Sequence, residues 1–149
     1  MIPVAHDHSF TVFPQDCNPH NTLFGGKILA ELDVCAAALA RRFIYETDCD
    51  GIVTLKINEV VFKKPAFIGD LIMMYAEVIN VGESSVTIKC HVYREDLQGN
   101  NEFMVSAVLV FVSVKDGHSH PHGKQMVNDD QNMDAIREVD SNEPNGQNQ

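Results

Sequence analysis

Only one stretch of this chain reads as a long helix, and that helix is apolar around most of its circumference. The segment KILAELDVCAAALARRF (27–43) follows the pair Gly25–Gly26, and the periodicity predicts a helix over about 26–44. At ~100° per residue, Lys27, Glu31, Arg41 and Arg42 gather on one polar edge. Leu29, Leu32, Ala36, Leu39, Ala40 and Phe43 lie on the opposite face. The other patterned segments have strand character: SFTVF (9–13), IVTLKINEVVFKK (52–64), LIMMYAEVINV (71–81), SVTIKCHVYRE (85–95) and EFMVSAVLVFVSVK (102–115). Pro14, Pro65, Gly69-Asp70, Gly82-Glu83 and Gln98-Gly99-Asn100-Asn101 punctuate them. In the fourth segment Val86, Ile88, Cys90 and Val92 face one way, and Thr87, Lys89, His91 and Tyr93 the other. The last segment is apolar on both faces, which suits a central strand. Such a helix can be enclosed only by the strands themselves. The expected fold is therefore α+β, an antiparallel five-stranded sheet wrapped around one long central helix.

The apolar periodicity is confined to residues 1–117, which are expected to form one domain. Residues 118–149 hold six acids against two bases and few large apolar groups, too little to offset ordering entropy. That stretch is expected to be an acidic, mostly disordered tail. The net charge of −10 argues against a nucleic-acid partner. No run approaches the ~18 apolar residues of a membrane helix. No basic region followed by an apolar run opens the chain, so no secretory signal is visible. Cys17, Cys35, Cys49 and Cys90 are scattered without a CxxC pair, and Cys35 and Cys90 fall in the helix and a strand. Free thiols in a reducing, cytoplasmic setting are expected. The only doubled cations are Arg41-Arg42 and Lys63-Lys64. Lys64 is taken as a candidate contact for an anionic ligand.

Asp33 stands out within the helix. It sits roughly 135° from the centre of the polar edge, among Leu29, Ala36 and Ala37. A carboxylate there needs a partner, a raised pKa or a chemical task. Gly25 and Gly26 leave backbone N–H groups uncovered at the helix start, where anions and developing oxyanions are stabilised. A carboxylate about two turns from a bare helix N-terminus outlines an acyl-transfer site. Asn18, in the turn-rich loop before the helix, could orient water or substrate; by composition it is also a turn former.

These residues carry a resemblance. NPHNTLFGG (18–26) leading into GGKILAELD, NEVVFKKPAFIGD (58–70), YAEVINVGESSVTI (75–88) and FVSVKDG (111–117) resemble, in order and spacing, the hotdog-fold acyl-CoA thioesterases, especially the YciA-like branch. The resemblance covers about residues 8–120. It implies hydrolysis of acyl-CoA to the free acid and coenzyme A, with no cofactor beyond the substrate's own coenzyme A. It places the catalytic carboxylate at Asp33, as general base or nucleophile, and the carbonyl-polarising amide at Gly26, with Gly25 beside it. It assigns Asn18 as a polar loop residue reaching the partner subunit's site. Gly82, Ser84 and Ser85 fall on the turn that lines the coenzyme A channel. It further implies a homodimer as the minimal unit, with a trimer of dimers as a larger assembly.

The sequence departs from the branch at three places: Glu83 replaces a frequent basic residue, Asn58 a frequent acid, and HSHPHGK the basic, proline-rich ending. His20 is a weaker candidate for a base, because the Pro-Gly pattern of the hotdog dehydratases is absent. His118, His120 and His122 alternate and could hold copper or nickel weakly, but no dedicated metal site is expected. Two alternatives stand beside the thioesterase: a non-catalytic acyl-CoA-binding module and an acyl-carrier-protein thioesterase. The second would require a basic docking face.

Overall fold

The computed structural model describes residues 5–125. In chain order the elements are β1 (Ala5–Thr11), α1 (Gly25–Ala40), β2 (Gly51–Phe62), β3 (Leu71–Val81), β4 (Ser85–Glu95), β5 (Asn101–Lys115) and β6 (His118–Ser119). Short 3-10 turns occupy Pro14–Asp16 and Arg41–Ile44. The antiparallel sheet runs in the order β1-β3-β4-β5-β2, with β6 paired to the end of β5. The expected wrap around a single helix is what forms.

The packing follows from the alternation. Ile72, Met74 and Val78 of β3, Val86, Ile88, Cys90 and Val92 of β4, and Leu109 and Phe111 of β5 point inward and are fully buried. They meet Leu32, Cys35, Ala36, Leu39 and Ala40 of α1, which are buried as completely. The alanines keep the helix narrow and let the sheet approach. Burial pushes the Cys35 thiol up to about 11 and raises that of Cys90 further; both are free and serve as packing groups. β5 lies between β4 and β2, as its two apolar faces suggest.

The first strand runs Ala5–Thr11 rather than 9–13, because Pro14 opens a 3-10 turn and Phe13 is its cap. β2 is the least regular strand, with register shifts between Thr54 and Lys56 and between Asn58 and Val61, and Glu59 at φ 51°. Such bulges bend a strand and raise its twist. β2 is also an edge, and Val53, Leu55, Ile57, Val61 and Phe62 on it are exposed.

The expected tail boundary at 117/118 is corrected in part. Residues 118–125 fold back on the sheet rather than leaving it. Ser119 pairs with Val114, and His118 with Lys115. The Ser113 hydroxyl, buried at the end of β5, donates to the His120 carbonyl at 2.5 Å. His122 is 3% exposed and packs edge-on against Phe43, with ring centroids 5.8 Å apart. Its Nε2–H donates to the Ser85 carbonyl (3.1 Å), and its Nδ1 accepts the Lys124 N–H (3.0 Å). Composition averages over a stretch and misses a strap of this kind, in which one buried ring and a few bonds fix the chain. Residues 126–149, and the expectation for them, lie outside the described residues.

A chain ending at residue 117 should be less stable than one ending at 125 by about 2–4 kcal/mol, having lost a buried ring and several buried hydrogen bonds. Urea titration of the two chains measures the difference. Equal midpoints would show that the strap contributes nothing.

Candidate active site

The loop before α1 is built around Asn18. Its Oδ1 accepts the N–H groups of His20 (3.0 Å) and Thr22 (3.2 Å), and its Nδ2 donates to the Thr22 hydroxyl (2.9 Å). Asn21 takes the left-handed conformation at φ 61°. The Leu23 N–H donates to the Ala66 carbonyl (2.8 Å) and docks the loop on the segment after β2. Asp70 braces that segment, accepting the Phe67 N–H (2.8 Å) and the Arg94 guanidinium (2.9 Å).

α1 then starts without a cap. Phe24 occupies the N-cap position with no side-chain hydrogen bond, and its carbonyl takes the Lys27 and Ile28 N–H groups. The N–H groups of Gly25 and Gly26 have no acceptor among the described residues. A Cβ on Gly26 would lie 2.8 Å from a Phe24 ring carbon, whereas one on Gly25 would meet Phe62 at an ordinary 3.7 Å. Glycine is therefore sterically favoured at Gly26, which is exposed.

Asp33 follows two turns later. The Thr54 hydroxyl of β2 donates to its Oδ1 at 2.6 Å, a charge-assisted bond that fixes one carboxylate oxygen. The expectation of a buried environment is corrected: Asp33 is half-buried, and its neighbours Ala30 and Val34 are exposed, Val34 by 58%. Periodicity marks a face as apolar but does not say whether the chain's own sheet covers it. Thr54 was not singled out in the sequence; its only signal is one hydroxyl in the apolar run IVTL.

The polar edge of α1 carries a second network. Glu31 lies 2.6 Å from His8 of β1 and 3.0 Å from Lys27, whose ammonium also approaches Asp16 (3.8 Å). Burial, the largest single influence on Glu31, pushes its carboxyl up. The hydrogen bonds from His8 and Lys27 outweigh it and hold the group below its ordinary 4.5.

Among the described residues, the bond of Asp33 is to Thr54, and the remaining candidates have other partners. The hydrogen bonds recorded for Asn18 stay within its own loop. Lys64 pairs loosely with Glu102 (3.7 Å) at the surface, and His20 is exposed. Gly82, Ser84 and Ser85 form the β3–β4 turn, but the C-terminal strap binds it. Ser119 Oγ meets Ser84 Oγ (3.0 Å), and the His122 N–H donates to the Glu83 carbonyl (3.2 Å). The three alternating histidines do not converge either: His122 turns into the core, while His120 bonds Asp48.

The family model of the thioesterase superfamily matches residues 20–99, from the Asn18 loop through β4. The chain belongs to the thioesterase superfamily. A protein of Buchnera aphidicola subsp. Schizaphis graminum, named an uncharacterised acyl-CoA thioester hydrolase, is 32% identical over 101 residues, covering 66% of this chain and 72% of the relative. The acyl-CoA thioester hydrolase YciA of Salmonella typhimurium is 26% identical over 113 residues, 72% of this chain and 82% of YciA. Among solved structures, a hexameric hotdog fold thioesterase of Campylobacter jejuni superposes with a TM-score of 0.65 at 36% identity, covering 76% of this chain and 86% of that chain. The wrapped sheet is thus the hotdog fold.

The Glu31 network has a pH signature. Its folded pKa lies below the unfolded value, so its stabilisation is complete above pH 4.5 and is lost as pH falls through the folded pKa. Glu31→Gln should therefore be destabilised near neutrality, with the gap to wild type closing below pH 4.5. Urea midpoints across pH 3–7 check this; a gap that stays constant would sink it.

Proposed function

We infer that this protein hydrolyses acyl-CoA thioesters to the free acid and coenzyme A, with Asp33 as its reacting carboxylate. The observation that carries this reading is the Thr54-held Asp33 on α1, a helix whose first amides are bare. Thr54 occupies one carboxylate oxygen and leaves the other for a water molecule. As general base, Asp33 takes a proton from that water while the oxygen attacks the thioester carbon. The carbonyl oxygen becomes an oxyanion that the Gly26 N–H and the helix dipole stabilise. Collapse breaks the C–S bond, and the protonated Asp33 returns its proton to the departing thiolate. As nucleophile, Asp33 would instead form an anhydride that water opens. Either route needs only water, in keeping with a cofactor-independent reaction.

Geometry supports a site shared by two chains. Gly26 and Asp33 are seven residues apart on one helix, about 10 Å along its axis. A thioester carbonyl and the water attacking it span roughly 8 Å, two hydrogen bonds of about 3 Å each plus about 2.3 Å between the two oxygens on the reacting carbon. The carboxylate is also bonded to the exposed edge strand. Joining two copies along β2 would cover Val53, Leu55, Ile57 and Phe62 and the open ladder. It would bring Gly25, Gly26 and the Asn18 loop of one chain towards Asp33 of the other. The hexameric relative fits further association of such dimers. Lys64, exposed and only loosely paired, is available for the phosphates of coenzyme A. The strap already binds Ser84, which argues for a ligand path along the exposed Glu83 side of the Gly82–Ser85 turn. The free buried thiols suit a cytoplasmic setting.

Asp33→Asn should lower kcat for thiol release from a panel of short, long and aromatic acyl-CoA substrates by at least ~100-fold in a folded protein. Thr54→Val, which frees Asp33 Oδ1, should lower it about tenfold with a smaller change in KM. Near-wild-type turnover in Asp33→Asn would reject the assignment.

Sharing of the site predicts complementation. Inactive Asp33→Ala and Asn18→Ala chains, unfolded and refolded together, should regain roughly a quarter of wild-type activity. About half the dimers would be mixed, each with one intact site. No recovery despite demonstrated subunit exchange would place the whole site within one chain, or Asn18 outside it.

A further inference from the structure

The C-terminal strap meets the loop between α1 and β2 at three chemically different ligand groups. A carboxylate oxygen of Asp48, Cys49 Sγ and a ring nitrogen of His120 all lie within 4.8 Å of one another. His120 Nε2 is already 2.9 and 3.0 Å from the two Asp48 oxygens. Cys49 Sγ is 3.7 and 3.6 Å from the His120 and Pro121 carbonyls. More than seventy residues separate the loop from the strap, so the fold alone creates this convergence.

The backbones that present these groups are braced. The Thr47 hydroxyl donates to the Ile44 carbonyl (2.6 Å) and accepts the Cys49 N–H (3.2 Å). The Asp50 N–H donates to the Val114 carbonyl (3.0 Å), and the Asp50 carboxylate accepts the Asp116 N–H (2.8 Å). On the strap, the His120 N–H donates to the Ser113 carbonyl (2.9 Å), while the Ser113 hydroxyl grips the His120 carbonyl. Both halves of the cluster are therefore fastened to the end of β5.

We propose that Asp48, Cys49 and His120 bind a divalent ion of the zinc class, with water completing the tetrahedron, and that the ion clasps the strap to the α1–β2 loop. A tetrahedral ion with bonds of about 2.0–2.3 Å sets its ligand atoms about 3.3–3.8 Å apart, so closing this cluster requires shifts of about 1 Å. A thiolate, an imidazole and a carboxylate form a donor set suited to zinc rather than to magnesium or calcium. One thiolate and one carboxylate balance the ion's two charges. On binding, the Cys49 S–H bond is replaced by S–metal, and the proton leaves to solvent with no change of oxidation state. The Lys115 ammonium, 3.2 Å from Asp48 and partly exposed, swings out to solvent.

The full-length protein, stripped with a chelator, is titrated with Co²⁺ as a spectroscopic stand-in. The expected result is one equivalent per chain, with a thiolate-to-cobalt charge-transfer band and tetrahedral visible bands that zinc abolishes. Cys49→Ser should lose the charge-transfer band, and His120→Ala and Asp48→Asn should bind at least tenfold more weakly. Cys17→Ser should bind as wild type does. Lys115→Met, which removes the competing ammonium, should bind several-fold more tightly. Zinc at about a hundred times its Kd should raise the melting temperature of wild type by roughly 5–10 °C and leave Cys49→Ser unmoved. The proposal is overturned if wild type shows no thiolate band, or if the band survives Cys49→Ser or vanishes in Cys17→Ser.

Discussion

The fold depends on covering one helix. α1 presents Leu32, Cys35, Ala36, Leu39 and Ala40 as a surface that nothing but the sheet can bury. At ~25 cal/mol per Å² of apolar area, that burial is the principal favourable term, and it requires the sheet to curl. Curling in turn determines where the chemistry can lie. It leaves the helix N-terminus open on one side and sets the bent edge strand β2 beside the helix face that bears Asp33.

The same constraint explains why a helix face remains uncovered. The sheet wraps only part of the circumference, and Ala30, Val34 and the apolar side chains of β2 remain at the surface. Asp33 lies on the border between the covered and uncovered faces. A second copy along β2 would complete the enclosure. Stability and catalysis would then make the same demand on the second chain.

The strap adds a second level of organisation. Residues 118–125 extend the sheet past the start of β4, seat His122 against Phe43 and hold the β3–β4 turn. They occupy the position where the resemblance placed coenzyme A contacts. They also bring His120 to Asp48 and Cys49. A short polar segment thus acts on the turn, the core and the loop after the helix at once.

Much of this was legible in the sequence. The alternation of Val86, Ile88, Cys90 and Val92 and the periodicity of 27–43 are local patterns, so they determined the strands, the helix, the wrap and the inward rows. The Gly25-Gly26 start and Asp33 were legible for the same reason: a bare N-terminus and a carboxylate two turns later are features of one continuous segment. Asn18 was legible as a residue, but its bonds within its own loop required coordinates. Tertiary structure alone decided what lies across space: that Thr54 holds Asp33, that Asp33 is only half-buried, and that residues 118–125 return to seat His122 and join His120 to Asp48 and Cys49. Periodicity encodes which side of a segment is apolar. It carries no record of the distant partner that meets it, because long-range contacts depend on how the sheet curls and where each edge ends.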